Sequence, residues 1–212
     1  MQNKFAKIKF YNKKVIVLYN LIKNIIIIFV CHILFHIKYE NLDILNDYDK
    51  CLICPNHSRI FDPVFLYPKI DNMYSIAKSE LFKNKLTSDF LTYCNAIPIE
   101  RNKKDFAGTR RILRLLKKNN KIRLLIFPEG GIFKDNYKYN KRNTKSGAVY
   151  LSSITNIPII PVYITSRPCF FSTVNVRFGK PFIPNVDVSH NKDLLKKEAF
   201  NLIHTIYELK TS

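Results

Sequence analysis

The sequence predicts an α/β domain whose largely parallel, mixed sheet is flanked by helices and preceded by an apolar N-terminal element. Three observations lead there. From residue 50 onward, short apolar runs alternate with stretches of helical periodicity, the pattern of strands joined by crossover helices. "IRLLIF" (122–127) is apolar almost throughout, as a strand covered on both faces must be. The first 45 residues stand apart: five lysines between positions 4 and 14 precede "VIVLYNLIKNIIIIFVCHILFHI" (15–37). Residues 1–45 are therefore read as a membrane-associating helix or helix pair, and 46–212 as the α/β domain.

The N-terminal run has 23 residues, about 35 Å as a helix, enough for a bilayer core of about 30 Å. Asn20, Lys23, Asn24, His32 and His36 interrupt it. No small-residue cleavage site follows, which argues against a signal peptide. A buried helix, a spanning helix and a helix lying in the headgroup region stay open, and the lysine flank favours an anionic leaflet.

Within the domain, "CLIC" (51–54), "MYSIAK" (73–78), "AIPIE" (96–100), "IRLLIF" (122–127), "IPIIPVYI" (157–164) and "TVNVRFGK" (173–180) read as strands. Helices are expected over 63–70, 79–94, 105–118, 144–156 and 192–210. Asp105 suits an N-cap, and Ile112, Leu115 and Leu116 follow at helical spacing.

A formal net charge of +19 on 212 residues draws anionic partners: phosphates, acidic lipid or nucleic acid. "RRILRLLKK" could contact nucleic acid, but no helix-turn-helix, zinc-finger or RNA-binding signature accompanies it. Nucleic acid is thus not an expected partner. The five cysteines are irregularly spaced, and Cys51-x-x-Cys54 has no second pair to complete a zinc site. Reduced structural thiols are expected. His32 and His36 lack a third ligand, so no metal site is expected.

The chemistry concentrates at strand ends. In "CPNHSRIFDP", His57 and Asp62 are five residues apart, which points them apart on a helix and to opposite faces on a strand. They meet only if the chain turns between them. Pro55 ends a strand, and Asp62-Pro63 suits a helix N-cap followed by proline at the first helical position. Asp62 can thus be a cap, an orienter of the imidazole, or both. "FPEGG" (127–131) follows the buried strand and puts Glu129 and Gly130 where ligands bind in open α/β sheets. "IPIER" ends a strand on Arg101, a residue suited to bidentate phosphate contact. "NTKSGA" places Lys145 at a helix start, where anions bind. For each, a solvated surface role is the plain alternative.

Taken in order, these stretches resemble the glycerolipid acyltransferases, specifically the lysophosphatidic acid (1-acylglycerol-3-phosphate) acyltransferases. "NHSRIFD" resembles the family's H-x4-D block, "IPIER" its second block, "FPEGG" its F-P-E-G-T-R block, and "IPIIPV" its fourth. Lys145-Ser146-Gly147 is similar to the family's Lys-x-Gly segment. The likeness covers roughly residues 50–180. Gly131-Ile132 stands where the family has Thr-Arg, which bears on the acceptor more than on the reaction.

The resemblance implies that His57 is a general base oriented by Asp62, with no enzyme nucleophile and hence direct, sequential acyl transfer. Ser58 is the rival nucleophile. It implies that Arg101 and Lys145 bind the acceptor phosphate while Glu129 and Gly130 shape that pocket. No bound cofactor is expected; acyl-CoA or acyl-carrier protein is the co-substrate, lysophosphatidic acid the acceptor and a membrane surface the partner. A cytosolic donor requires the domain to face the cytoplasm, and so a monotopic or re-entrant N-terminal element. The alternatives are an acyltransferase acting on glycerol 3-phosphate or another lysophospholipid, and a non-catalytic module binding anionic lipid or nucleic acid.

Overall fold

Cys51 and Ile53 face one side of the central strand, Leu52 and Cys54 the other, and all four are buried. That alternation builds two cores on one sheet. The computed structural model describes residues 13–100, 105–132, 144–165, 168–184 and 191–210. Its strands are β1 (His36–Glu40), β2 (Lys50–Pro55), β3 (Met73–Lys78), β4 (Ala96–Ile99), β5 (Ile122–Leu125), β6 (Ile159–Ile164) and β7 (Thr173–Phe178). Its helices are α1 (Lys13–Ile28), α2 (Asp62–Leu66), α3 (Lys85–Tyr93), α4 (Phe106–Lys118), α5 (Gly147–Thr155) and α6 (Lys192–Glu208).

The sheet order is β1-β7-β6-β2-β5-β3-β4. Strands β6, β2, β5, β3 and β4 run parallel to one another, whereas β7 pairs antiparallel with β6 and parallel with β1. The fold is thus the expected α/β domain with a mostly parallel, mixed sheet. One core joins α2 and the end of the N-terminal helix through Phe35, Phe65 and Leu66. The other joins α4, α5 and α6 through Ile112, Val149 and Leu202. The connection after β2 therefore leaves on one face and that after β5 on the other. Adjacent strands whose connections diverge in this way open a crevice at their carboxyl ends.

Several elements differ from the sequence reading. The long apolar run is not one helix: α1 ends at Ile28, a wide π turn occupies Phe29–Leu34, and β1 begins at His36. The sheet thus starts inside the segment assigned to the N-terminal element. β1 was not expected, because "HIKYE" is partly polar and its partner β7 lies far along the chain. The helix expected over 79–94 is a 3₁₀ turn (Ser79–Phe82) followed by α3. Asn84 divides them by accepting bonds from the amides of Leu86 and Thr87. Asp105 caps α4 as expected, accepting from the Gly108 amide at 2.7 Å. Arg123 breaks the apolarity of β5, and its guanidinium donates to the carbonyls of Leu45 and Tyr48.

Candidate active site

At the end of β2, the Asn56 side chain bonds the Ile164 backbone twice, donating to its carbonyl at 2.9 Å and accepting from its amide at 2.7 Å. This ties the exits of β2 and β6 together and fixes where the next residue, His57, emerges. The chain then turns, and the buried Asp62 carboxylate reaches back along it. Its Oδ2 accepts from His57 Nδ1 at 2.9 Å, the Ser58 amide at 2.6 Å and the Arg59 amide at 2.9 Å.

Asp62 is fully enclosed, at 0 % exposure. It does not cap α2. It is the first helical residue, with Pro63 behind it, and the preceding Phe61 makes no side-chain cap. All three bonds fall on Oδ2; Oδ1 has no hydrogen-bond partner among the described residues. An ionised carboxylate only accepts, so the geometry assigns the Nδ1 proton to His57 and leaves Nε2 as the acceptor nitrogen. The Phe127 ring stacks on the imidazole at 3.9 Å between centroids, so the ring is held from its face as well as its edge.

After β5, the chain turns through Phe127–Gly130, closed by the Gly130 amide donating to the Phe127 carbonyl at 3.0 Å. Gly130 has φ +72°, and a Cβ there would lie 2.6 Å from Lys145 Cγ. Both favour glycine. The Lys145 amide donates to the Pro128 carbonyl at 2.7 Å, which fixes the approach to α5 against this turn. Glu129, 1 % exposed, accepts at Oε1 from the Tyr207 hydroxyl of α6 at 2.8 Å. Burial pushes its carboxyl up to about 7; the Tyr207 bond and the His57 backbone oppose the rise, and the Asp62 charge adds to it.

A cavity of about 230 Å³ opens beside this turn. Phe127, Gly130 and Lys145 line it together with the apolar Ile76, Ile99 and Ile112. Of the six expected site residues, His57 and Asp62 form a direct bond, Glu129 and Gly130 make the turn after β5, and Gly130 and Lys145 line the cavity beside it. Glu129 reaches the His57–Asp62 pair through the His57 backbone. Arg101 lies outside the described residues, although Glu100 lines the cavity. Ser58 contributes its amide to Asp62. Among the described residues no three metal-ligating side chains cluster, and four of the five free cysteines are buried.

Three residues escaped the sequence reading: Asn56, Phe127 and Tyr207. The first two lie inside the quoted motifs, next to the residues singled out. Tyr207 had no signal, because only the packing of α6 brings it to a turn 78 positions earlier.

Residues 36–165 match the sequence model of the family described as Acyltransferase. Over 196 residues the chain is 25% identical to the 1-acyl-sn-glycerol-3-phosphate acyltransferase of Streptococcus pneumoniae, aligning 86% of this chain with 69% of that one. The fold is similar to the crystal structure of the 1-acyl-sn-glycerophosphate (LPA) acyltransferase PlsC from Thermotoga maritima, with a TM-score of 0.66. That match covers 100% of this chain and 85% of the other at 19% identity.

Proposed function

The chain belongs to the acyltransferase family, and from that premise we propose that it moves a fatty acyl group from an acyl thioester to the free hydroxyl of 1-acylglycerol 3-phosphate, giving phosphatidic acid. The acceptor follows the named activity of the Streptococcus relative. The observation that carries the chemistry is the His57 Nδ1–Asp62 Oδ2 contact at 2.9 Å, at the carboxyl edge of the sheet.

Nε2 of His57 takes the proton of the acceptor hydroxyl as its oxygen attacks the thioester carbonyl. The C–O bond forms, the C–S bond breaks, and the thiolate leaves with the proton carried by the imidazolium. Asp62 keeps Nδ1 protonated and faces the positive charge that develops on the ring. Two backbone amides hold that carboxylate, so the orienter is itself positioned. No acyl-enzyme is needed. Arg101 and Lys145 bind the acceptor phosphate, Lys145 from over Gly130, and Glu129 with Gly130 shapes the turn beneath it.

The N-terminal helix holds the domain on the cytoplasmic leaflet without crossing it. Val17, Leu18, Leu21, Ile25, Ile28 and Phe29 are exposed along one stripe. The same helix meets protein elsewhere: Tyr19 packs on Tyr93 at 5.5 Å, and the Lys23 ammonium lies over that ring. A helix with one face on the domain and one apolar face outward suits a position in the headgroup region.

The test supplies purified protein with lysophosphatidate and either acyl-CoA or acyl-carrier protein, follows phosphatidate and free thiol, and repeats with His57→Ala. Glycerol 3-phosphate and other lysophospholipids form parallel arms, because Gly131-Ile132 replaces the usual Thr-Arg. Full activity in His57→Ala ends the general-base assignment; turnover of glycerol 3-phosphate alone replaces the acceptor.

A further inference from the structure

The connection between β6 and β7 carries a tight turn at Cys169–Ser172, where the Cys169 carbonyl accepts from both the amide and the hydroxyl of Ser172. Its two central residues are phenylalanines, 57% and 69% exposed. Phe171 has φ +65°, a conformation that glycine and asparagine adopt readily and an aromatic residue rarely does. Two large apolar rings are thus held in water, one on a strained backbone.

The turn is fastened to the end of the N-terminal helical segment. The Phe171 amide donates to the Leu34 carbonyl at 2.6 Å, the His36 amide donates to the Ser172 carbonyl at 3.1 Å, and Phe170 packs on Phe35 at 5.8 Å. Strand directions fix which edge this is. β6 is parallel to β2, so it ends on the His57 side; β7 and β1 run oppositely, so both begin there. Ile60, 73% exposed, sits in the loop between His57 and Asp62 on the same edge. The apolar stripe of α1 runs into this edge through Phe29 and Ile33.

We propose that the Cys169–Ser172 turn is a second lipid-inserting element, which with the N-terminal helix seats the active-site edge on an anionic bilayer. This rests on the lysophospholipid acceptor proposed above, a substrate that resides in the leaflet His57 must reach. Three features select lipid over a protein partner. The turn is continuous with a helix apolar enough for membrane contact, its exposed phenylalanines carry apolar rings with no polar group to keep them in water, suited to burial at the headgroup–acyl boundary, and the chain's charge of +19 draws it to acidic headgroups.

Cys169 is exposed while the other four cysteines are buried, so an environment-sensitive fluorophore can be placed at the turn in the full chain. On adding vesicles of equal parts phosphatidylglycerol and phosphatidylcholine, its emission is expected to shift to the blue and to be quenched by spin-labelled acyl chains. Phe171→Asn suits the left-handed backbone and keeps the turn. It should weaken vesicle co-sedimentation roughly tenfold, the loss expected for withdrawing one partly inserted ring. The variant should turn over a short-chain, monomeric lysophosphatidate at the wild-type rate. An unshifted label on sedimenting protein overturns the proposal, as does vesicle binding by Phe171→Asn equal to wild type. A shift caused instead by acyl-carrier protein, or by raising protein concentration without vesicles, also overturns it. Wild-type inactivity on both monomeric and vesicle-borne acceptors overturns the acyl-transfer reading; the label and sedimentation arms decide the turn separately.

Discussion

The Tyr207 hydroxyl donates to Oε1 of the buried Glu129 at 2.8 Å, joining the last helix to the turn after β5. Tyr207→Phe removes the donor and leaves the carboxyl in place. A buried acceptor that loses its partner costs about 1–3 kcal/mol, and a domain of this size loses about 2–4 °C of melting temperature per kcal/mol. The loss should be larger at pH 8 than at pH 5, because the ionised carboxylate depends more on the bond. Thermal unfolding at the two pH values checks this; equal losses would mean the bond is independent of the charge.

Glu129 itself sets a pH dependence. Burial pushes its carboxyl up to about 7 from the ordinary 4.5, so the folded state binds a proton more tightly than the unfolded chain. Stability from this group is full below about 4.5 and falls as pH rises through about 7, by an amount on the order of a few kcal/mol. Glu129→Gln keeps an acceptor for Tyr207 and cannot titrate. Its melting temperature should lose that slope between pH 4.5 and 7 and exceed the wild type at pH 8. A wild-type slope in the variant would assign the dependence to another group.

Asn56 acts at a distance of one residue from the chemistry. Its paired bonds to Ile164 hold the start of the His57 loop against β6. Asn56→Ala leaves a buried amide and carbonyl at Ile164 without these partners, so a loss of about 2–4 kcal/mol is expected. Turnover should fall more than acceptor affinity, since the phosphate-side turn is untouched. A raised KM with unchanged kcat would argue against this division.

Much of this site was legible before the structure because its residues cluster in short stretches at strand ends. The turn at Pro55 and Asp62-Pro63 made the His57–Asp62 contact possible, and the contact exists. Of the roles the sequence left open for Asp62, the contact with the imidazole is present and the cap is not: Asp62 lies inside the first turn of α2, and its Oδ2 faces the imidazole and two amides of its own loop. β1 escaped because a half-polar edge strand has little local signal. The reversal at β7 is set by the short connection from β6, not by any pattern within "TVNVRF". Tyr207 shows the limit: tertiary packing alone brings it to Glu129.

Gly130 should not tolerate alanine without cost. Its φ of +72° penalises a side chain by about 1–2 kcal/mol, and the new Cβ would push the Lys145 stem aside. Gly130→Ala is expected to raise KM for the phosphorylated acceptor several-fold more than KM for the acyl donor. Equal changes in both would remove Lys145 from phosphate binding.

Asp62 separates positioning from charge. Because Oδ2 alone receives His57 Nδ1, Ser58 N and Arg59 N, the carbonyl oxygen of Asp62→Asn can take all three bonds. The amide NH₂ then occupies the place of Oδ1, which has no partner among the described residues. The loop and the tautomer survive, at a stability cost of about 1–3 kcal/mol for the unpaired donor, but the negative charge beside the imidazole is gone. Asp62→Ala loses the charge and all three bonds. General-base catalysis contributes about 10²–10⁴-fold, so Asp62→Asn should lose roughly 10²-fold in kcat, Asp62→Ala more, and His57→Ala the most. Thiol release under saturating substrates, read beside the melting temperature of each variant, ranks them. A wild-type rate in Asp62→Asn would mean that orientation alone suffices; equal losses in the Asn and Ala variants would mean that the charge does all the work.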